Sequence, residues 1–168
     1  MCKYFNVLTI LLTAHNSLID AVQKLESVRL GGLFSLFDMR GGLISKGQQR
    51  MSGFLLAVDE INSNEELLPQ HKIKIFVKDT KYDKSKAFFT SIDMAKRGVD
   101  AVIGAQSSDE SNAAATVFSQ YSTVQISYSS TSASLSSKLN YRYFARSCPS
   151  DTSQGHAMAA IVATQFKW

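Results

Sequence analysis

The chain has little cysteine, little proline and no long apolar run. It contains 168 residues, of which two are cysteine and two are proline. So few prolines exclude a proline-rich linker or a collagen-like repeat. No run of about eighteen apolar residues occurs, so no segment has the pattern of a membrane-spanning helix. Hydrophobic residues make up 45% and charged residues 19% of the chain, a composition typical of one globular domain.

Clustered basic charge and enzyme motifs are also missing. The net charge is +4, but the basic residues are scattered, so no nucleic-acid-binding surface is predicted. The sequence has no Gly-x-Ser-x-Gly, no phosphate-binding P-loop, no Gly-x-Gly-x-x-Gly and no metal-type Cys/His spacing. The histidines, His15, His71 and His156, lie far apart. We therefore expect no catalytic site, no cofactor and no metal, and an enzyme is the least favoured class.

The first residues are typical of a secretory signal peptide. Lys3 precedes an apolar run over residues 5–14, and small and polar residues follow it. We predict a signal peptide over residues 1–18; a short buried strand or helix is the alternative. Removal of this segment would leave Cys148 as the one remaining cysteine, so no internal disulfide is expected. A buried, inert role is favoured for Cys148, since no activating neighbour is evident.

The rest of the chain alternates β-rich runs with amphipathic helical runs. The predicted strands are Val28–Phe37, Lys72–Lys78, Val99–Gly104, Val124–Tyr128 and Tyr141–Arg146. Apolar residues at helical spacing mark the helices between and after them: Met51, Phe54, Leu55, Val58 and Ile61; Ala114, Val117, Phe118 and Tyr121; Ala159, Val162, Ala163 and Phe166. A fourth, less regular helix is predicted over Asp83–Arg97. This alternation predicts an α/β fold with a doubly wound, mostly parallel sheet.

Three helix starts carry capping-box patterns, Ser45-x-x-Gln48, Ser107-x-x-Glu110 and Asp151-x-x-Gln154. In parallel sheets, ligands bind beyond the carboxyl ends of the strands, where helix N-termini present free N–H groups. The expected functional surface is therefore formed by residues 43–50, 105–109, 129–132 and 150–152. The composition of the serine-rich stretch 127–137 is also typical of a flexible linker. We do not favour a linker, because the stretch begins inside a predicted strand and contains aromatic and leucine residues.

Two kinds of candidate binding residue lie on these loops. Ser107 and Ser108 would suit an anion such as a carboxylate, and the alternative is that Ser107 only caps its own helix together with Glu110. Ser129 and Thr131 end a strand, and Asp151 could pair with an ammonium or simply cap its helix. Lys46 and Arg50 are like-charged neighbours on the first turns of one helix, where the helix dipole disfavours cations. An anion bound between them would explain the pair, and two solvated side chains are the alternative. Together these groups would hold an acidic amino acid.

The order of motifs resembles the ectodomain of class C G-protein-coupled receptors. The resemblance runs from about Val28 onward and is most similar to the amino-terminal, Venus-flytrap domain of metabotropic glutamate receptors. The residues that carry it include Gly31-Gly32-Leu33-Phe34, Gln49-Arg50, Ala57-Val58-Asp59-Glu60-Ile61-Asn62, Ser107-Ser108, Gln125-Ile126-Ser127-Tyr128-Ser129-Ser130-Thr131-Ser132, Phe144-Ala145-Arg146 and Pro149-Ser150-Asp151.

The resemblance implies a role for each candidate residue. Ser108 matches the serine that binds the ligand α-carboxylate. Thr131 matches the threonine that contacts both α-carboxylate and α-amine, and Ser129 matches the residue whose carbonyl accepts the amine. Asp151 matches the aspartate that pairs with the amine. Arg50 matches the arginine that reaches the distal acidic group, and Lys46 matches a second cation found there in some subtypes.

The resemblance also implies what surrounds this part of the receptor. Residues 19–168 correspond to most of the first lobe; the second lobe, a cysteine-rich segment and seven membrane helices would follow in the family, and a G protein would be contacted only through the membrane part. Lys81 stands where the family has a cysteine, and the intersubunit-cysteine insertion near Arg97 is missing. We expect an extracellular, glutamate-binding fragment and a homodimer through lobe-1 helices. One alternative is another bilobal binding domain (calcium-sensing-like, guanylate-cyclase-type or bacterial amino-acid-binding). The other is a secreted, non-signalling fragment that dimerises through the helix 113–121, on which Val117 would offer an exposed apolar side.

Overall fold

The computed structural model describes residues 26–167, so the predicted signal peptide lies outside the described residues. The strands are β1 Glu26–Phe34, β2 His71–Asp79, β3 Ala101–Ile103, β4 Val124–Ser127 and β5 Phe144–Arg146. The helices are α1 Ser45–Ser63, α2 Lys84–Lys96, α3 Ser108–Gln120 and α4 Asp151–Ile161, with a 3-10 turn at Ala133–Ser136 and a π-helical turn at Val162–Phe166.

All five strands are parallel and form one sheet in the order β2-β1-β3-β4-β5. The predicted α/β class with a doubly wound parallel sheet is therefore confirmed. Each predicted strand is present, although several are shorter than expected. The first ends at Phe34, because the chain turns into a small hairpin in which Phe37 pairs with Leu43.

Side chains alternate between the two faces of the sheet. On one face Leu33 and Val102 pack with Met94 of α2 and Phe118 of α3. On the other face Phe34 packs with residues of α1. This alternation follows from the period of two along a strand, which sends neighbouring side chains to opposite faces. Helices therefore cover both faces, with α2 and α3 on one side and α1 on the other.

One of the three predicted capping boxes is present. Ser107 caps α3: its hydroxyl accepts a hydrogen bond from Glu110 N at 3.2 Å, and the Glu110 carboxylate accepts one from Ser107 N at 3.0 Å. The prediction for Ser45 was wrong, because Ile44 precedes α1 and makes no side-chain cap. The prediction for Asp151 was wrong by one residue: Ser150 caps α4, and its hydroxyl accepts from Ser153 N at 3.1 Å.

The helix α4 is exposed along its whole length. None of its residues is buried, and Met158 is 68% and Ile161 53% exposed. Apolar spacing predicted a helix with a stripe of Ala159, Val162, Ala163 and Phe166; in the described part of the chain these residues are exposed. The sheet beside α1 is correspondingly open, with Val124 39% and Ile126 37% exposed.

Candidate ligand-binding site

The predicted functional loops meet at one edge of the molecule. Because all strands run in the same direction, the segments after β1, β2, β3 and β4 all leave from the carboxyl edge of the sheet. The turn before α3, the serine-rich segment after β4 and the first turn of α4 are joined there by hydrogen bonds. This edge is the candidate site.

Ser107 and Ser108 differ in what they can offer to a ligand. The Ser107 hydroxyl donates to Glu110 Oε2 at 2.8 Å and also accepts from Glu110 N, so it is committed to the capping box. The Ser108 hydroxyl accepts from Ser132 N at 3.1 Å. A hydroxyl has one donor as well as its acceptor positions, and no described residue accepts the Ser108 hydroxyl hydrogen. Ser108 is thus the residue of this turn that can donate to an anion.

The serine-rich segment is an ordered part of the core and not a linker. The Ser127 hydroxyl donates to Ala105 O at 2.9 Å, and the Ser130 hydroxyl donates to Ser111 Oγ at 2.7 Å. Both residues are fully buried. Ser129 is tied to the same region, because its hydroxyl donates to Gln106 O at 2.6 Å. These bonds explain why serine recurs here: each small hydroxyl satisfies a buried backbone or hydroxyl group.

Thr131 lies beside the start of α4. Asp151 N donates to Thr131 O at 2.8 Å, so the two predicted residues are in direct contact through the backbone. Arg146 holds the carbonyls on either side, donating to Ser130 O at 3.0 Å and to Ser132 O at 2.8 Å. The Asp151 carboxylate is in the exposed first turn of α4, where the helix dipole favours a negative charge.

Arg50 and Lys46 have different surroundings, although they lie one turn apart on α1. The guanidinium of Arg50 lies over the ring of Tyr128, 5.1 Å from the ring centroid. Its Nη1 is buried and has no hydrogen-bond partner among the described residues. Lys46 is exposed. Arg50 is therefore not simply solvated, since one of its donors is buried unpaired, and an unpaired buried donor is costly.

Tyr128 is a functional candidate that the sequence reasoning passed over. Its ring stacks on Phe34 with 5.8 Å between centroids, and its hydroxyl donates to Leu33 O at 3.2 Å. Burial raises the pKa of Tyr128 well above its ordinary value, so the hydroxyl stays protonated as a donor. An aromatic residue directly after a predicted strand and next to Ser129 was the available signal.

Five of the six predicted residues thus belong to the serine-rich segment or are linked to it by a hydrogen bond or a ring contact. Ser108 reaches the serine-rich segment through Ser132, Ser129 follows Tyr128 in the chain, and Arg50 reaches that segment through the Tyr128 ring. Thr131 and Asp151 are in direct backbone contact. Lys46 is exposed at the start of α1, with no hydrogen bond or ion pair described to the other five.

Metal-binding and membrane-spanning features were searched within residues 26–167. No three His, Cys, Asp or Glu side chains in that range come together in a way that could hold a metal ion. In the same range no helix has the length and apolar character needed to cross a membrane.

Comparison with known proteins identifies the family. Residues 49–168 match the receptor family ligand binding region. The "Probable metabotropic glutamate receptor mgl-1" of Caenorhabditis elegans is 30% identical over 151 residues, which cover 74% of this chain and 15% of that receptor. The "Extracellular calcium-sensing receptor" of Mus musculus is 29% identical over 181 residues, which cover 87% of this chain and 17% of that receptor.

These relatives are receptors, and this chain spans about a sixth of their length. The bovine "Extracellular calcium-sensing receptor" is similar to the same extent, at 30% identity with 17% of its length covered. The chain therefore belongs to the receptor family ligand binding region, as a class C G-protein-coupled-receptor-type ligand-binding region related to metabotropic glutamate and calcium-sensing receptors.

Proposed function

We propose that this chain is the extracellular, ligand-binding fragment of a metabotropic-glutamate-receptor-like protein and that it binds an acidic amino acid such as L-glutamate. The observation that carries the proposal is a pair of hydrogen bonds: Ser132 N donates to the Ser108 hydroxyl, and Asp151 N donates to Thr131 O. Ser108 has a hydroxyl donor and Asp151 has a carboxylate, and these bonds bring the two residues to neighbouring positions of the chain, Ser132 and Thr131. An α-carboxylate and an α-ammonium need such a donor and such a carboxylate.

The cation on α1 supports an acidic side chain on the ligand. Arg50 keeps a buried, unpaired Nη1 beside Tyr128, and a ligand carboxylate is the acceptor that a guanidinium binds best. Lys46, one turn earlier on the same helix, is exposed and would add attraction at longer range. The proposed roles are thus Ser108, Ser129, Thr131 and Asp151 for the amino-acid group, and Arg50 with Lys46 for the distal carboxylate.

An NMR titration of the ¹⁵N-labelled chain tests this assignment. L-Glutamate is expected to shift the amide resonances of Ser108, Thr131 and Asp151. L-Glutamine serves as the matched ligand, since it keeps the α-groups and lacks the distal charge. It should shift the same three amides without moving the Arg50 side-chain resonance.

A calcium-sensing function is the second candidate, because the calcium-sensing receptors match over 87% of the chain. A parallel titration with calcium chloride therefore tests this second candidate. Shifts at Ser108 and Thr131 with Ca²⁺ and none with L-glutamate would contradict the proposed acidic amino acid. The absence of shifts with either probe would contradict both assignments.

We also propose a homodimer through the helices of this lobe. Phe88 of α2 is 37% exposed and Tyr121 at the end of α3 is 48% exposed, and both line one surface groove. Val117 was expected to be exposed there, but it is buried against α2, so the two aromatic residues supply the apolar surface instead. Sedimentation velocity should show a dimer that Tyr121→Asp abolishes. Leu139→Asp, at a 98% exposed leucine far along the chain, is the control that should leave the dimer intact.

A further inference from the structure

Glu110 is a fully buried carboxylate beneath the candidate site. It is the third residue of α3, and its side chain has no exposed surface. An ordinary capping box uses the acid only to accept from the cap residue at the helix surface. Burying an ionised carboxylate is costly unless hydrogen bonds compensate. The fully buried carboxylate of Glu110 therefore needs hydrogen-bond donors in addition to those of the capping box.

Both oxygens of Glu110 have two partners each. Oε2 accepts from Ser107 N at 3.0 Å and from Ser107 Oγ at 2.8 Å. Oε1 accepts from Ser35 Oγ at 3.0 Å and from the Thr80 hydroxyl. Ser35 and Thr80 are themselves fully buried and lie within hydrogen-bond distance of each other. A carboxylate with four donors has little capacity left for a ligand.

These partners come from three different strand ends. Ser35 follows β1, Thr80 follows β2, and Ser107 lies on the connection between β3 and α3. The position of the Ser107–Ser108 turn relative to β1 and β2 is thus set through one side chain. Ser107 has no donor left for a ligand, because its amide and its hydroxyl both donate to Glu110. Ser108 remains as the residue of the turn whose hydroxyl hydrogen no described residue accepts.

We infer that Glu110 is a positioning residue of the binding site, which holds the Ser107–Ser108 turn so that Ser108 can donate to the ligand α-carboxylate. The identity of the ligand in this inference rests on the proposed function. The position of the turn rests only on the hydrogen bonds seen in this chain. The effect of Glu110 on Ser108 is indirect: it touches Ser107, Ser35 and Thr80.

Three variants of the full chain test the inference. Glu110→Gln keeps the volume and removes the charge, and Glu110→Ala removes the side chain. Asp109→Asn is the matched control, because it removes one charge from the same first turn at an exposed position. The measurements are the ¹H–¹⁵N resonance and the hydrogen exchange of the Ser107 amide, followed by an L-glutamate titration.

A carboxylate acceptor moves an amide proton downfield, so Glu110→Gln should move the Ser107 resonance upfield and speed its exchange. Glu110→Ala should weaken L-glutamate binding by about tenfold, as expected for lost hydrogen bonds to a charged group, and Glu110→Gln should weaken it less. Asp109→Asn should change neither. A side chain that only fills space would leave the Ser107 resonance unchanged in Glu110→Gln.

The two proposals fail in different ways. An unchanged Ser107 resonance in Glu110→Gln, in a chain that still folds, overturns the positioning role. Equal loss of L-glutamate affinity in Asp109→Asn and Glu110→Gln also overturns it, because the effect would then be one of general charge. Failure of the unmutated chain to bind L-glutamate contradicts the proposed function, while the Ser107 resonance still decides whether Glu110 holds the turn.

Discussion

The two faces of the sheet are covered to very different degrees. On the α2–α3 face, Met94 and Val102 are fully buried and Phe118 is 1% exposed. On the α1 face, α1 covers β1 and β2, whereas Val124 and Ile126 of β4 remain more than a third exposed. The strand register shows that Ile126 lies on the α1 face, because it pairs with Ile103, which packs beside Phe34 on that face.

This difference indicates which face of the sheet contributes most to the free energy of folding. A parallel sheet is normally covered on both faces, and burial of apolar surface is the main favourable term in folding. Here the α2–α3 face carries most of the fully buried core, and the β4 part of the α1 face contributes little. The candidate site lies at the carboxyl edge of the sheet, between these two faces.

The largest expected contrast lies between matched truncations on the two faces. Phe118→Ala should lower the free energy of unfolding by about 3–5 kcal/mol, because it leaves a cavity in a closed core. Ile126→Ala should cost well under half of that, because its side chain is partly solvated already. Urea denaturation followed by circular dichroism measures both. Equal losses would show that the β4 part of the α1 face is as closed as the other.

Two glycines of α1 offer the next contrast. A Cβ on Gly47 would overlap the carbonyl of Ser35, whereas a Cβ on Gly53 would meet no atom within 4 Å. Gly47→Ala should therefore destabilise the chain by about 1–3 kcal/mol, the usual cost of overpacking. Gly53→Ala should stabilise it by about 0.5–1 kcal/mol through helix propensity.

Thermal denaturation of the two glycine variants checks the direction of each effect. Opposite shifts in Tm would show that α1 is held close to the end of β1 at its first turn and is open to solvent further along. A stabilising Gly47→Ala would contradict the close approach of α1 to Ser35.

Binding should depend on residues at the site edge and not on similar groups elsewhere. In a protein that carries both lobes, Arg50→Ala and Thr131→Ala should each weaken L-glutamate binding by about 1–3 kcal/mol. Arg142→Ala is the control, since Arg142 also lies over a tyrosine ring, that of Tyr143, at 5.8 Å. Isothermal titration calorimetry gives the affinities; unchanged values in both site variants would remove Arg50 and Thr131 from the site.

The smallest effect concerns the ion pairs at the rim of the α2–α3 face. A hydrogen bond from Lys78 and one from Arg97 hold the pKa of Asp93 below its ordinary value, against some desolvation. Because the folded pKa is lowered, the pair stabilises the fold above the unfolded pKa, and the contribution is lost as pH falls through the folded pKa. The groups are exposed, so the effect is small.

Denaturation midpoints measured at neutral pH and in acid well below the ordinary pKa of an aspartate test this sign. Asp93→Asn should lower the midpoint at neutral pH and bring it close to that of the unmutated chain in acid. Asp59→Asn, at an exposed position on α1, should leave the pH profile as it is. A larger loss in acid than at neutral pH for Asp93→Asn would contradict the lowered pKa.

Much of the fold could be predicted from local patterns. Strand alternation and helical spacing predicted the five strands and the parallel sheet, because these patterns reflect which face of each element is buried. The helix after β2 was predicted at Asp83–Arg97, and it spans Lys84–Lys96 with Asp83 as its cap. The helices begin at Ser45 and Asp151 as predicted, but their capping boxes were wrong: Ile44 precedes α1 without a side-chain cap, and the neighbouring Ser150 caps α4.

The site could be predicted less completely. The positions of Ser108, Ser129, Thr131 and Asp151 follow from their place after strands, and their role in binding stays a prediction. The burial of Glu110 and the position of Arg50 over Tyr128 could not be read from spacing. Both depend on residues that lie far apart in the chain, Glu110 on Ser35 and Arg50 on Tyr128.

The sequence by itself determined the class of fold, the sheet edge at which the candidate site lies and the family resemblance, because these follow from period, polarity and short motifs. Only the tertiary structure decided which polar groups are already satisfied. A hydroxyl or a carboxylate is free for a ligand only when no other segment uses it. That depends on long-range contacts such as those that commit Ser107 to Glu110 and leave Ser108 with a hydrogen to donate.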